Sequence, residues 1–106
     1  MEESELMEVR VMNDKKLKTK FEIMGRIGEG CFGKVYKAVN RNTKKYVALK
    51  VEMLDETYNN KSNLAIEISI LDRLSGVEGV PIMYSAGKWQ FGYFMEMELL
   101  VSSLQD

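Results

Sequence analysis

Ile27-Gly28-Glu29-Gly30-Cys31-Phe32-Gly33-Lys34-Val35, followed twelve positions on by Val47-Ala48-Leu49-Lys50, decides the architecture of this chain. Glycine lets backbone N–H groups approach an anion that a Cβ would hold off, and three phosphate-binding signatures compete for the segment. Read as a Walker loop, Gly28-x-x-x-x-Gly33-Lys34 fits, but the next position must be Ser or Thr to hold magnesium and it is Val35. Read as a dinucleotide fingerprint, Gly28 to Gly33 fits and Glu52 stands at a plausible distance for a ribose contact. That fold needs a helix to begin at the loop. Six residues separate Gly33 from the turn Asn40-Arg41-Asn42-Thr43, whereas a normal helix runs to about 11. The third signature is strand, glycine turn, strand and a lysine on a neighbouring strand, and here all four parts are present.

Strand texture extends outward from the loop on both sides. Before it, Phe21, Ile23, Gly25 and Ile27 alternate with Glu22, Met24 and Arg26, a period of two. After it, Val35, Tyr36 and Val39 are strand formers closed by the Asn-Arg-Asn-Thr turn. Tyr46 to Met53 forms a third strand, with Val47, Leu49, Val51 and Met53 on one face and Tyr46, Ala48 and Lys50 on the other. Ile82 to Ala86 and Tyr93 to Leu99 read as two more strands, joined through Gly87-Lys88-Trp89-Gln90-Phe91-Gly92. Trp89 is expected to be a partly buried anchor of that connection. The five strands and one main helix predict an α+β fold with an antiparallel sheet in the order β-β-β-α-β-β.

The main helix is expected over Leu64 to Ser75 and ends at Gly76. Leu64, Ile68, Leu71 and Leu74 fall in one stripe at about 100° per residue, and Glu67 lies inside it. A carboxylate on a packed face costs several kcal/mol unless paired, and Lys50 faces the side of its strand from which it could supply the cation. Residues 1–20 carry five acidic and five basic side chains with scattered apolar ones. They read as a charged, flexible lead-in before a unit spanning 21–106.

Composition narrows the chemistry. The 106 residues allow one domain, and 45% hydrophobic with 29% charged residues is ordinary for a folded core. Fifteen Lys and Arg against 16 Asp and Glu leave a net charge of −1, without the basic stripe that nucleic acid demands. The absence of histidine removes imidazole bases and every His-containing metal site. A lone cysteine, Cys31, excludes an internal disulfide and suits a reducing compartment. With an acidic start and no apolar run of about 18 residues, the expectation is a cytoplasmic or nuclear protein without membrane or nucleic-acid partners.

Together these residues resemble the amino-terminal lobe of a eukaryotic protein kinase. Within that superfamily, Val47 to Glu52, Glu67 inside Leu64-Ala65-Ile66-Glu67, the Gly76 to Pro81 connection, and Met97 to Leu100 with Ser103-Leu104 most resemble the casein kinase 1 group. Tau-tubulin kinases are a close second. The resemblance implies an ATP-binding lobe of a protein serine/threonine kinase. Gly28, Glu29, Gly30, Cys31, Phe32 and Gly33 would form a flap over the nucleotide. Ile27, Val35 and Ala48 would sandwich the adenine, and Lys50, held by Glu67, would position the α- and β-phosphates. Met97 would be the gatekeeper, with Glu98 and Leu100 offering hinge backbone groups to the base. Ser103 and Asp106 would begin a helix near the ribose. Val101-Ser102 stands where the casein kinase group usually has Gly-Pro.

Residues 1–106 contain no H-R-D-x-x-x-x-N, D-F-G or A-P-E motif, so the catalytic base, the magnesium ligands and the substrate groove would belong to a second lobe. The expectation is an incomplete catalytic unit that binds ATP weakly, because half a cleft surrounds little of its ligand. A protein substrate would be engaged only with that lobe in place. Without it, Ile27, Val35, Ala48, Met97 and Leu100 would form an exposed apolar underside. The alternative reading is a non-catalytic interaction or scaffold module that holds a protein partner there.

Overall fold

Alternating apolar residues set the strands, and turn residues set their ends. The computed structural model describes residues 3–30, 33–54 and 62–100. Its sheet comprises β1 (Phe21–Gly30), β2 (Gly33–Asn40), β3 (Tyr46–Val51), β4 (Met83–Trp89) and β5 (Gly92–Glu98). The strand order is β1-β2-β3-β5-β4, with every neighbouring pair antiparallel. Asn40 closes β2 as the sequence suggests: its Oδ1 accepts the N–H groups of Asn42 at 2.8 Å and Thr43 at 3.1 Å. Lys44 then takes the left-handed conformation at φ 65°. The connection between β4 and β5 is shorter than its glycines suggest. Trp89 pairs with Gly92, leaving Gln90-Phe91 as the turn.

The alternation of β1 does not run unbroken. Register shifts between Ile23 and Gly25 and between Arg26 and Gly28 mark two bulges. A bulge adds one residue to one strand and reverses which face the following side chains meet. Phe21 and Ile23 therefore belong to the packed face, but so does Arg26, opposite Tyr36, while Gly28 pairs with Val35 on the other face. A strict period of two would have put Ile27 with Phe21. Ile27 instead falls within the second bulge and is half exposed.

The packed face is covered by residues read from sequence as a charged lead-in. Residues 3–20 form α1 (Glu3–Asn13) and α2 (Lys15–Lys20). Met7 and Val11, four apart on one side of α1, join Leu17 of α2 against Phe21, Tyr36, Ala38, Val47, Leu49, Val51, Trp89 and Phe94. Val11 and Leu17 are fully buried, and full burial of such a side chain stabilises by about 1.5–3 kcal/mol. Most of the described charges that suggested a solvated terminus stay at the outer surface, whereas Asp14 is buried. Asp14 caps α2, its Oδ1 accepting the Leu17 N–H at 2.8 Å. Lys16 and Lys20 lie with their ammonium groups 5.9 and 5.5 Å from the centre of the Phe94 ring, and Lys16 Nζ donates to the Lys88 carbonyl at 2.6 Å.

The helix expected over Leu64–Ser75 is α3 (Asn63–Arg73). Leu64 is fully buried and Ile68 and Leu71 partly so, but Leu74 at the end of the expected stripe is exposed. Gly76 follows in the turn at φ 87°, a conformation that favours glycine. No helix among the described residues is long and apolar enough to cross a membrane.

Candidate functional site

Face selection on the sheet assembles the site. On β2, Lys34, Tyr36 and Ala38 turn toward the core, which leaves Val35, Lys37 and Val39 on the opposite face. Val35 pairs with Gly28 on one side and with Lys50 on the other. Ala48 pairs with Lys37 and Met97, and Lys50 with Met95. The glycine hairpin, Val35, Ala48, Lys50 and Met97 thus share the face turned away from α1 and α2.

Lys50 Nζ donates to both carboxylate oxygens of Glu67 at 2.8 Å. The Lys50 side chain is 19% exposed and that of Glu67 27%. At this half-buried depth the attraction is stronger than between fully exposed charges. The pair links β3 to α3, and each charge answers the desolvation of the other. This is the partner that Glu67's place among the apolar residues of α3 required.

The glycines of the hairpin differ in what they do. Gly33 has φ 147°, and a Cβ there would lie 2.2 Å from the Val51 carbonyl oxygen. Its backbone is therefore pressed against β3, and glycine is a packing requirement at that position. A Cβ on Gly28 would make only an ordinary 3.8 Å contact with Val35, so nothing in the packing of the hairpin demands glycine there.

At the other end of the site Glu98 closes β5. Its N–H donates to the Ile82 carbonyl at 2.9 Å and its Oε1 accepts the Ile82 N–H at 3.0 Å, so its N–H is already engaged. Leu100 is 73% exposed, Val35 and Met97 are half-buried, and Ala48 is buried between its neighbours. The underside is thus less open than the sequence suggested at Ala48, and as open at Ile27 and Leu100. Glu29 is exposed in β1 opposite Lys34, and Gly30 pairs with Gly33. Cys31, Phe32, Ser103 and Asp106 lie outside the described residues.

Sequence reasoning missed what Glu52 does. Its side chain is buried, and its carboxylate accepts the Ser62 hydroxyl at 2.5 Å and the Leu64 N–H at 3.0 Å. Ser62 Oγ in turn accepts the Ala65 N–H at 2.9 Å as the N-cap of α3. The Glu52 carbonyl accepts the Trp89 indole N–H at 2.7 Å, so Trp89 is an anchor, but a buried one at the end of β4 and not a partly buried one in the connection. Glu52, the residue that follows β3, therefore fixes the start of the helix that carries Glu67. A serine just before the apolar run signals the cap, but with Ala65 where a capping box has Glu or Gln, the glutamate is supplied from ten residues upstream, beyond any local capping pattern. Among the described residues no group of three Cys, Asp or Glu could hold a metal ion.

The family model described as protein kinase domain matches residues 21–105. A probable casein kinase I homolog of Encephalitozoon cuniculi is 31% identical over 86 residues, which cover 81% of this chain and 27% of that protein. A probable serine/threonine-protein kinase of Dictyostelium discoideum is 28% identical over 90 residues, covering 85% of this chain and 18% of the relative. Cyclin-dependent kinase B1-1 of Arabidopsis thaliana is 44% identical over 57 residues, which cover 53% of this chain and 18% of that kinase. The chain spans about a quarter or less of the length of these relatives.

Proposed function

Because the chain belongs to the protein kinase domain family, we propose that it is the ATP-binding lobe of a serine/threonine kinase and does not transfer phosphate by itself. The observation that carries this reading is the Lys50–Glu67 pair on the same sheet face as the glycine hairpin. Bound ATP supplies the phosphoryl group. Ile27, Val35 and Ala48 pack against the base, with Met97 behind it and the Glu98 carbonyl and Leu100 backbone at its polar edge. The hairpin amides and the Lys50 ammonium hold the phosphates, as preorganised donors do for developing charge. Glu67 keeps that ammonium in place, and Glu52 keeps Glu67 in place through the cap of α3.

The residues fit the ligand: an exposed apolar surface at Ile27, a glycine hairpin beside it, and a fixed cation at the far side of Val35. Resemblance to casein kinase 1 favours that subgroup, and its relative matches over more of the chain than the cyclin-dependent kinase does. A base, magnesium ligands and a peptide groove would have to come from residues beyond these.

The test is the affinity of the 106-residue chain for a non-hydrolysable ATP analogue, measured by calorimetry. Affinity is expected at about the millimolar level, since one lobe encloses little of the ligand. Lys50→Met should weaken it by about tenfold or more. Equal affinity in the variant would remove Lys50 from the site and the reading with it.

A further inference from the structure

The helix in front of the sheet reaches the root of the glycine hairpin through Glu8. Glu8, on α1 one residue after the buried Met7, places Oε1 3.2 Å from Arg26 Nη1 and 3.6 Å from Lys34 Nζ. Arg26 lies on β1 just before the hairpin glycines, and Lys34 on β2 just after them. One carboxylate oxygen therefore spans both strands at the root of the flap, from the face opposite the proposed ligand.

The three groups differ in depth. Glu8 and Arg26 have side chains 40% and 42% exposed, a setting in which an ion pair alone contributes little. The Lys34 side chain is 4% exposed. A cation so deeply buried requires anionic and hydrogen-bonding partners to offset its lost hydration, and Glu8 is one that the helix supplies. The root is also confined on its other side, where Gly33 presses on the Val51 carbonyl and Lys34 pairs with Val51. Beyond the root, Gly30 and Gly33 close the described ladder.

We propose that Glu8 makes α1 a brace for the root of the glycine hairpin, a positioning residue that holds β1 and β2 together from behind and thereby fixes the strands that present the hairpin glycines to nucleotide. The mechanical part follows from the contacts, and the consequence for nucleotide rests on the proposed function. Any partner or modification that lifts α1 would then loosen that root without touching the ligand face.

Hydrogen exchange of the 106-residue chain tests it, read separately for amides of 25–36, of α3, and of β4 and β5. Glu8→Gln should speed exchange in 25–36 by about fivefold and leave α3, β4 and β5 unchanged. Unchanged exchange in 25–36 overturns the proposal. If Glu8→Gln raises exchange throughout the chain, Arg26→Gln decides, because its half-exposed side chain can be altered with little effect on the core. It must loosen 25–36 alone, and if it does not, the brace is refuted. The same measurement with a magnesium-bound, non-hydrolysable ATP analogue separates the two readings. If the analogue protects no amide while Glu8→Gln still loosens the hairpin, the brace stands and the nucleotide site falls.

Discussion

Tyr36 shows how a single side chain registers the cover that α1 provides. It is 2% exposed, and its hydroxyl has no hydrogen-bond partner among the described residues. Burial first, and the nearby Glu8 carboxylate second, push its ionisation up to about 12 from 10.0, with Arg26 opposing and Glu29 adding to the rise. In the unfolded chain Tyr36 ionises near its ordinary value. Between about pH 10 and 12 the unfolded chain has lost a proton that the folded chain keeps, so stability falls with rising pH across that window and levels above it. The loss is on the order of 2–3 kcal/mol. Tyr36→Phe should remove it and leave stability at pH 7 unchanged or higher by about 1 kcal/mol, as the difference between urea unfolding curves of variant and parent from pH 7 to 12 will show. Lys50 and Glu67 were legible from sequence because each is anomalous in its own element, a lysine ending a strand face and a carboxylate in an apolar stripe. Tyr36 and Glu8 carry no such mark, since their meaning depends on two distant segments meeting.

At the scale of elements, α3 is held at its start by β3. Ser62→Ala removes the cap that accepts the Ala65 N–H and should cost about 1 kcal/mol. Glu52→Ala leaves the Ser62 hydroxyl and Leu64 N–H without their buried acceptor and should cost about 2–4 kcal/mol. The double variant should lose less than the sum, because both single changes break the same hydrogen bond. Urea unfolding of the four proteins checks this, and simple additivity would show that the two residues act independently. The strands, their order along the chain and the extent of α3 were legible in periodicity and turn residues to within a few positions. The bulges of β1 were not. Met24 and Ile27 are apolar residues in an alternating run, and only pairing against β2 shows that each is the extra residue that changes the face.

For the whole molecule, the sheet has a filled face and a face that α1 and α2 leave open. The first is closed by α1 and α2, and the second carries the hairpin, Lys50 and Met97. Leu17→Ala empties a fully buried position between α2 and the sheet and should destabilise by about 2–5 kcal/mol, measured as a lower urea midpoint with little change in slope. A loss below about 0.5 kcal/mol would mean that the helices do not complete the core. This cover was illegible because Met7, Val11 and Leu17 are thinly spread among ten charged residues, and the stripe becomes apolar only once the sheet is there to receive it. The central claim concerns the other face. A nitrogen-15 NMR titration of the 106-residue chain with a non-hydrolysable ATP analogue tests it most directly. Shifts confined to Ile27–Val35, Ala48, Lys50 and Met97–Leu100, and abolished by Lys50→Met, are the predicted result. Shifts on α1 and α2 with none at the hairpin, Ala48 or Lys50, or none at all at several times the expected millimolar dissociation constant, would contradict it.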